Sequence, residues 1–138
     1  MSGRSLVELY AVATRVPLFA VFMRPTDHYD PETDEGLELM RAHLEWLLEM
    51  EIEGRLFAAG PLDYGQPPRT GDPIVNATGM YLFAAGSGAE AAAIAAREPF
   101  AVAGWRTWSL CPWLLNEGAG ADTARRIAKD FGEEEVSS

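Results

Sequence analysis

Six hydrophobic segments alternate between strand-like and helix-like patterns, and their order restricts the fold more than any other feature of the sequence. The strand-like runs are short and apolar, whereas the helix-like runs repeat apolar residues every three or four positions. In chain order they are a strand at 18–23, a helix at 37–54, strands at 55–62 and 77–84, a helix at 87–97 and a strand at 104–113. This βαββαβ order predicts a ferredoxin-like α+β domain with its helices on one face of the sheet.

The first helix has the strongest pattern in the chain. Thr33 or Asp34 is suited to cap its start, and Gly54 stands where a left-handed glycine ends a helix. Five apolar residues share one predicted face, which we expect to be buried: Leu37, Met40, Leu44, Leu47 and Leu48.

Composition limits the class of protein. The chain has 138 residues, of which 48% are hydrophobic, enough for one domain with its own core. A formal net charge of −10 disfavours binding to nucleic acid or to an anionic membrane surface. We find neither an apolar run long enough to span a membrane nor a signal-peptide pattern. The single cysteine, Cys111, cannot form an intramolecular disulfide, so we expect a cytoplasmic protein.

Two extensions flank a domain predicted to span residues 18–115. Residues 1–17 form an N-terminal extension, which is either a ragged segment or a short amphipathic helix that packs on the body or on a partner. Its apolar face is formed by Leu6, Leu9, Tyr10 and Ala13. Residues 116–138 form an acidic tail, which we expect to be flexible apart from a short helix at 122–131. The proline- and glycine-rich connection at 63–76, which includes Tyr64, is either a lid or a mobile loop.

The predicted sheet carries helices on one face only, so its other face needs a cover. A second copy of the chain is the simplest cover, and we therefore expect a homodimer.

His43 is the first candidate for acid–base chemistry. Of the two histidines, His28 stands in a hydrophilic loop and is expected to be solvated. His43 falls on the first helix beside Met40 and Leu47, at the border between core and solvent. An imidazole there exchanges protons near neutral pH. The alternative is a boundary histidine that hydrogen-bonds a backbone carbonyl.

Glu98 is the second candidate. Pro99 ends the second helix and pushes Glu98 out of helical geometry. A carboxylate at a helix C-terminus opposes the macrodipole, so helix stability does not explain its position. The alternative is a solvated surface glutamate.

The remaining features allow two interpretations each. Gly60 and Pro61 either shape the mouth of a pocket or form a bend. On the last strand Trp105 and Trp113 are expected to share one face and Trp108 the other, which favours packing over a stacking platform. We find no metal-ligand spacing and no phosphate loop, and we predict neither a metal nor a cofactor.

Four short motifs together resemble the YCII-related (YciI-like) family over about residues 18–115. In order they are Arg41-Ala42-His43-Leu44, Gly54-Arg55-Leu56 leading to Ala59-Gly60-Pro61, Glu98-Pro99-Phe100 with Ala103-Gly104, and Pro112-Trp113. The resemblance implies a dimeric α+β barrel in which two ferredoxin-like sheets pack face to face. It also implies an active site built from His43 and Glu98, although the family usually has aspartate at the second position.

The function that the resemblance implies is proton transfer. Relatives with this barrel include isomerases and dehydrohalogenase-like lyases that act on small cyclic or aromatic acids. We expect His43 to move a proton on an unknown small organic molecule without a cofactor, and Glu98 to orient the imidazole. The candidate substrate contacts are Arg41, Gly60, Pro61, Tyr64, Phe100 and Trp105. The alternative is a non-catalytic dimeric module that binds a small molecule or serves as an accessory protein.

Overall fold

The computed structural model describes residues 3–62 and 77–132, whose helices and strands follow the predicted order. In chain order they are α1 Leu6–Ala11, β1 Val16–Pro25, α2 Asp34–Glu53, β2 Leu56–Pro61, β3 Gly79–Phe83, α3 Gly88–Ala95, α4 Pro99–Val102, β4 Arg106–Leu115 and α5 Ala121–Phe131. Residues 63–76, with the predicted lid and Tyr64, lie outside the described residues. No helix in the described part combines the length and the apolar character needed to cross a membrane.

The four strands form one antiparallel sheet in the order β2-β3-β1-β4. The central strand β1 pairs with β4 along its whole length, from Val16 opposite Leu115 to Pro25 opposite Arg106. Together with the crossing helices α2 and α3, this strand order is the ferredoxin-like α+β fold that the sequence predicts.

One face of the sheet packs against α2 and α3. Because side chains alternate along a strand, every second residue of β1 points to this face: Phe19, Val21 and Met23. They share a hydrophobic core with Tyr81 and Phe83 of β3, and the helices complete it with buried side chains that include Met50 and Ile94. This core fixes the position of α2 relative to the end of α3.

The opposite face is covered at one end by α5. Val16 and Leu18 of β1 pack there with Ala124 and Ile127 of α5, which are buried. The short helix predicted at 122–131 is therefore confirmed as α5, and its apolar side packs on the sheet. Residues 133–138 lie outside the described residues.

Helix α2 has the predicted ends but a different buried face. The Thr33 hydroxyl accepts a hydrogen bond from the Gly36 amide at 3.0 Å, and Gly54 ends the helix at φ 93°. Three leucines expected in the core are exposed, by 59%, 56% and 51%: Leu37, Leu44 and Leu48. The sheet instead meets Met50 and, partly, Trp46 and Leu47, so the buried stripe is rotated toward His43. The leucine spacing indicates a face that is largely exposed, whereas His43 and Trp46 lie on the side of α2 that packs against the domain.

The N-terminal helix forms as predicted but does not pack on the described body. Ser5 caps it by accepting from the Glu8 amide at 3.1 Å. None of its residues is buried, and Leu6, Leu9 and Tyr10 are exposed. Of the two predicted positions for this helix, packing on the body is wrong, and packing on a partner stays a prediction.

Candidate active site

His43 and Glu98 meet in the structure although 55 positions separate them in sequence. His43 lies in the middle of α2, and Glu98 lies between α3 and α4. The imidazole Nδ1 is 2.6 Å from the carboxylate Oε1. Glu98 is completely buried, whereas the side chain of His43 is 11% exposed. The pair thus has an interior end at the carboxylate and an outer end at the imidazole.

The position of Glu98 follows from the proline beside it. Pro99 stops α3 but also begins the short helix α4, because proline suits the first position of a helix. Glu98 is extended, at φ −62° and ψ 132°, and its Oε2 accepts from the Ala101 amide at 2.8 Å. The expected conflict with a helix macrodipole is therefore wrong, since the carboxylate caps the N-terminus of α4 rather than the end of α3.

The hydrogen bonds of Glu98 define which imidazole nitrogen carries a proton. When the carboxylate is ionised it can only accept, and Nδ1 of His43 then donates to Oε1. In the neutral ring Nε2 is then the unprotonated nitrogen, with a lone pair that can accept a proton. Within the described residues no hydrogen bond to Nε2 is present. Orientation of one nitrogen by a carboxylate, with the other open, is the arrangement that a general base requires.

A fully buried ring, Phe100, supports the pair. It follows Glu98 by two positions, and its centroid lies 5.6 Å from the imidazole of His43. Tyr29 and Trp105 contact the same ring, at 5.6 Å and 6.4 Å between centroids. Tyr29 is held there by a close approach of its loop to α2, since a Cβ on Gly36 would lie 2.1 Å from the Asp30 carbonyl oxygen. Phe100 and Trp105, both predicted near the substrate, thus belong to one aromatic cluster beside His43.

Arg106 joins this cluster, although no motif in the sequence indicates it. Its guanidinium carbon lies 4.1 Å from the centroid of Phe100 and 5.1 Å from that of Tyr29. It also donates a hydrogen bond to the Tyr29 hydroxyl at 3.2 Å. Alternation along the last strand could have indicated it, because Arg106 shares a strand face with Trp108, which packs on the core.

Tyr81 is a second residue that the sequence analysis did not select. Burial, and secondarily the negative charge of Glu98, raise the pKa of its phenol, which therefore stays protonated. Its hydroxyl is buried without a hydrogen-bond partner in the described part of the chain. A tyrosine within a predicted strand gave no signal that set it apart from a core residue.

The other predicted substrate contacts lie apart from the pair. Arg41 is exposed on α2 and forms ion pairs with Glu38 and Glu45, which raise its pKa. Gly60 and Pro61 are exposed at the end of the edge strand β2. His28 is exposed in its loop, as expected.

The tryptophans of the last strand divide differently from the prediction. The strand begins only at Arg106, so Trp105 precedes it and turns toward Phe100. Trp113 lies on the face that carries α5, opposite Leu18, and is 40% exposed. The predicted common face of Trp105 and Trp113 is therefore wrong.

Away from the His43–Glu98 pair, the described residues contain a cavity without titratable groups and no cluster of metal ligands. A cavity of about 530 Å³ lies between the ends of β1 and β4, with Leu18, Pro112 and Trp113 in its lining and no titratable side chain. In residues 3–62 and 77–132, no three His, Cys, Asp or Glu side chains converge as metal ligands.

Comparisons with known proteins complete the description. A family model, the YCII-related domain, matches residues 18–113. Among solved structures, the chain is similar to 5-chloro-2-hydroxyhydroquinone dehydrochlorinase (TftG) from Burkholderia phenoliruptrix AC1100, in complex with 2,5-dihydroxybenzoquinone. That similarity has a TM-score of 0.49 at 19% identity and covers 70% of this chain and 92% of the other. No curated protein matches the sequence.

Proposed function

Because the chain belongs to the YCII-related domain family, we propose that it is an enzyme that transfers protons on a small organic molecule through His43 and Glu98. The observation that carries the proposal is the 2.6 Å contact between the imidazole Nδ1 and a completely buried carboxylate. A carboxylate enclosed in this way is costly unless it is paired, and its partner here is a side chain suited to proton transfer.

The chemistry follows from the orientation of the ring. With Nδ1 bonded to Glu98, Nε2 accepts a proton from a carbon of the substrate, and the carboxylate stabilises the imidazolium that forms. Return of the proton to another carbon gives an isomerisation. Departure of a neighbouring leaving group with its electron pair gives an elimination, the lyase type. Neither reaction requires a cofactor.

Deuterium incorporation into a panel of candidate compounds tests the proposal. The protein is incubated in D₂O with enolisable cyclic ketones, small unsaturated lactones and hydroxylated or chlorinated benzoic acids. We expect at least one compound to exchange a carbon-bound proton or to be converted faster than in buffer, as followed by ¹H NMR. Ligands that bind without exchange or conversion would instead support the non-catalytic binding module.

We also propose that a second copy of the chain covers the rest of the sheet face that carries α5. That face is only partly covered, since Phe22 and Met80 are half-buried and Trp113 is 40% exposed. Trp113→Glu is expected to convert the dimer to a monomer, because it would place an unpaired carboxylate in the interface. Sedimentation velocity measures the change.

Leu44→Glu is the matched control, because Leu44 is exposed on α2, a helix of the other face. We expect this variant to remain dimeric. A monomeric wild-type protein, or a dimer that only Leu44→Glu dissociates, would contradict the proposed interface.

A further inference from the structure

Arg106 carries a positive charge beside the candidate active site without a carboxylate partner in the described residues. Its side chain is half-buried at the start of β4, and its Nε atom is buried without a hydrogen-bond partner. Its described hydrogen bonds go to two neutral groups, the Tyr29 hydroxyl at 3.2 Å and the Met23 sulfur at 3.9 Å. This is unexpected in a chain with 21 acidic residues and 11 basic ones.

Several N–H donors of the Arg106 guanidinium have no hydrogen-bond partner in the described residues. This group presents five N–H donors in a planar fork, and the contacts to Tyr29 and Met23 occupy one terminal nitrogen each. Partial burial deprives the remaining donors of some of their water. A carboxylate satisfies such a fork with two parallel hydrogen bonds, and the match in geometry and charge makes these bonds stronger than neutral ones.

Phe100 fixes the spacing between this cation and His43. The guanidinium carbon lies 4.1 Å and the imidazole centroid 5.6 Å from the centre of the same ring, and the sum of the two distances is the upper limit of their separation. Phe100 is completely buried, and it packs against both groups from the interior of the domain. Tyr29 and Trp105, each half-buried, flank them with apolar surface.

We propose that Arg106 binds the carboxylate of a small organic acid whose reacting carbon reaches Nε2 of His43. The placement of the reacting carbon at His43 rests on the proposed function, whereas the binding of the carboxylate depends only on Arg106. Arg106 supplies one cation without a carboxylate partner in the described residues, which suits one carboxylate, and the net charge of −10 disfavours polyanions. The substrate class is thus a small monocarboxylic acid, with a flat apolar part that lies against Tyr29 and Trp105.

Benzoate and its neutral counterpart benzamide are the probes, with calorimetric titration as the readout. The wild-type protein is expected to bind benzoate at least about tenfold more tightly than benzamide, as a charged hydrogen-bond pair allows. Arg106→Met should abolish this preference, and Arg106→Lys should retain part of it. Arg125→Gln, an equal change of charge at an exposed residue of α5, should leave it intact.

Several results would overturn the inference. They are equal binding of benzoate and benzamide to the wild-type protein, binding of neither, and unchanged benzoate affinity in Arg106→Met. If Arg106→Met does not fold, Tyr29→Phe takes its place, because it removes the hydroxyl that holds the guanidinium. That variant should weaken benzoate binding severalfold and leave benzamide binding unchanged, and an unchanged benzoate affinity would count against the site.

The test also separates this inference from the proposed function. His43→Asn should keep the preference for benzoate, because the carboxylate is held by Arg106. In the wild-type protein, a preference for benzoate without turnover of any compound in the panel would refute proton transfer and leave the anion site standing. Loss of the preference in His43→Asn alone would assign the anion to the imidazole and overturn the role of Arg106.

Discussion

Replacing His43 by asparagine is expected to lower the rate of proton exchange by about two to four orders of magnitude, the usual contribution of a general acid–base group. The asparagine amide nitrogen takes approximately the place of Nδ1 and can still donate to Oε1 of Glu98. What is lost is Nε2, the nitrogen that accepts the proton. The rate of deuterium incorporation into a compound that the wild-type protein exchanges measures the effect.

Alanine at the same position is the comparison that separates catalysis from stability. Among the described residues, His43→Ala leaves buried Glu98 with a single hydrogen bond, from the Ala101 amide. We therefore expect it to lose about 1–3 kcal/mol more of the free energy of unfolding than His43→Asn, since a buried acceptor is left partly unsatisfied. Urea unfolding of both variants gives this difference. Full exchange activity in His43→Asn would exclude Nε2 as the base.

The partner variant Glu98→Gln tests the orientation of the ring. A glutamine oxygen can keep the hydrogen bond from Ala101, which leaves the amide N–H to donate to Nδ1 of His43. The neutral ring then carries its proton on Nε2 and can no longer accept one there. Activity should fall as in His43→Asn, and ¹⁵N spectra of the imidazole should show the exchanged tautomer. An unchanged tautomer would mean that Glu98 does not orient the ring.

Local patterns predicted the elements of the fold because the signals for starting and ending them are local. Helices begin or end at Thr33, Gly54 and Pro99 because these residues change the backbone within a few positions of themselves. The predicted helix limits are therefore confirmed to within a few residues. The strand order also follows, since a βαββαβ chain has few ways to form one sheet. Its ferredoxin-like arrangement is confirmed by the pairing of β1 with both β3 and β4.

The rotation of α2 and the surroundings of the candidate site could not be predicted in the same way. They depend on contacts between residues that are distant in sequence, such as Arg106 and Tyr29, which are 77 positions apart. Periodicity reports where apolar residues recur but does not report what they meet, and for this reason Leu44 was placed in the core. The family resemblance was needed to select His43 and Glu98. Composition and spacing alone are equally compatible with a boundary histidine bonded to a backbone carbonyl and with a solvated surface glutamate.

Phe100→Ala is expected to destabilise the domain by about 3–5 kcal/mol, the range for removal of a fully buried phenylalanine. The ring contacts the side chains of four residues: His43, Tyr29, Trp105 and Arg106. Its removal leaves a cavity among them, and α4 loses its only buried residue. Urea unfolding followed by tryptophan fluorescence and by circular dichroism measures the loss.

Phe100→Leu is the matched variant, because leucine refills most of the space but presents no aromatic face to the guanidinium of Arg106. We expect a much smaller loss of stability than in Phe100→Ala, together with weaker binding of benzoate, since the cation then keeps only its contacts with Tyr29 and Met23 in the described residues. A loss below about 1 kcal/mol in Phe100→Ala would show that the ring does not organise this part of the core. Unchanged benzoate binding in Phe100→Leu would show that Tyr29 and Met23 position Arg106 without the ring, so that Phe100 contributes to stability and not to recognition.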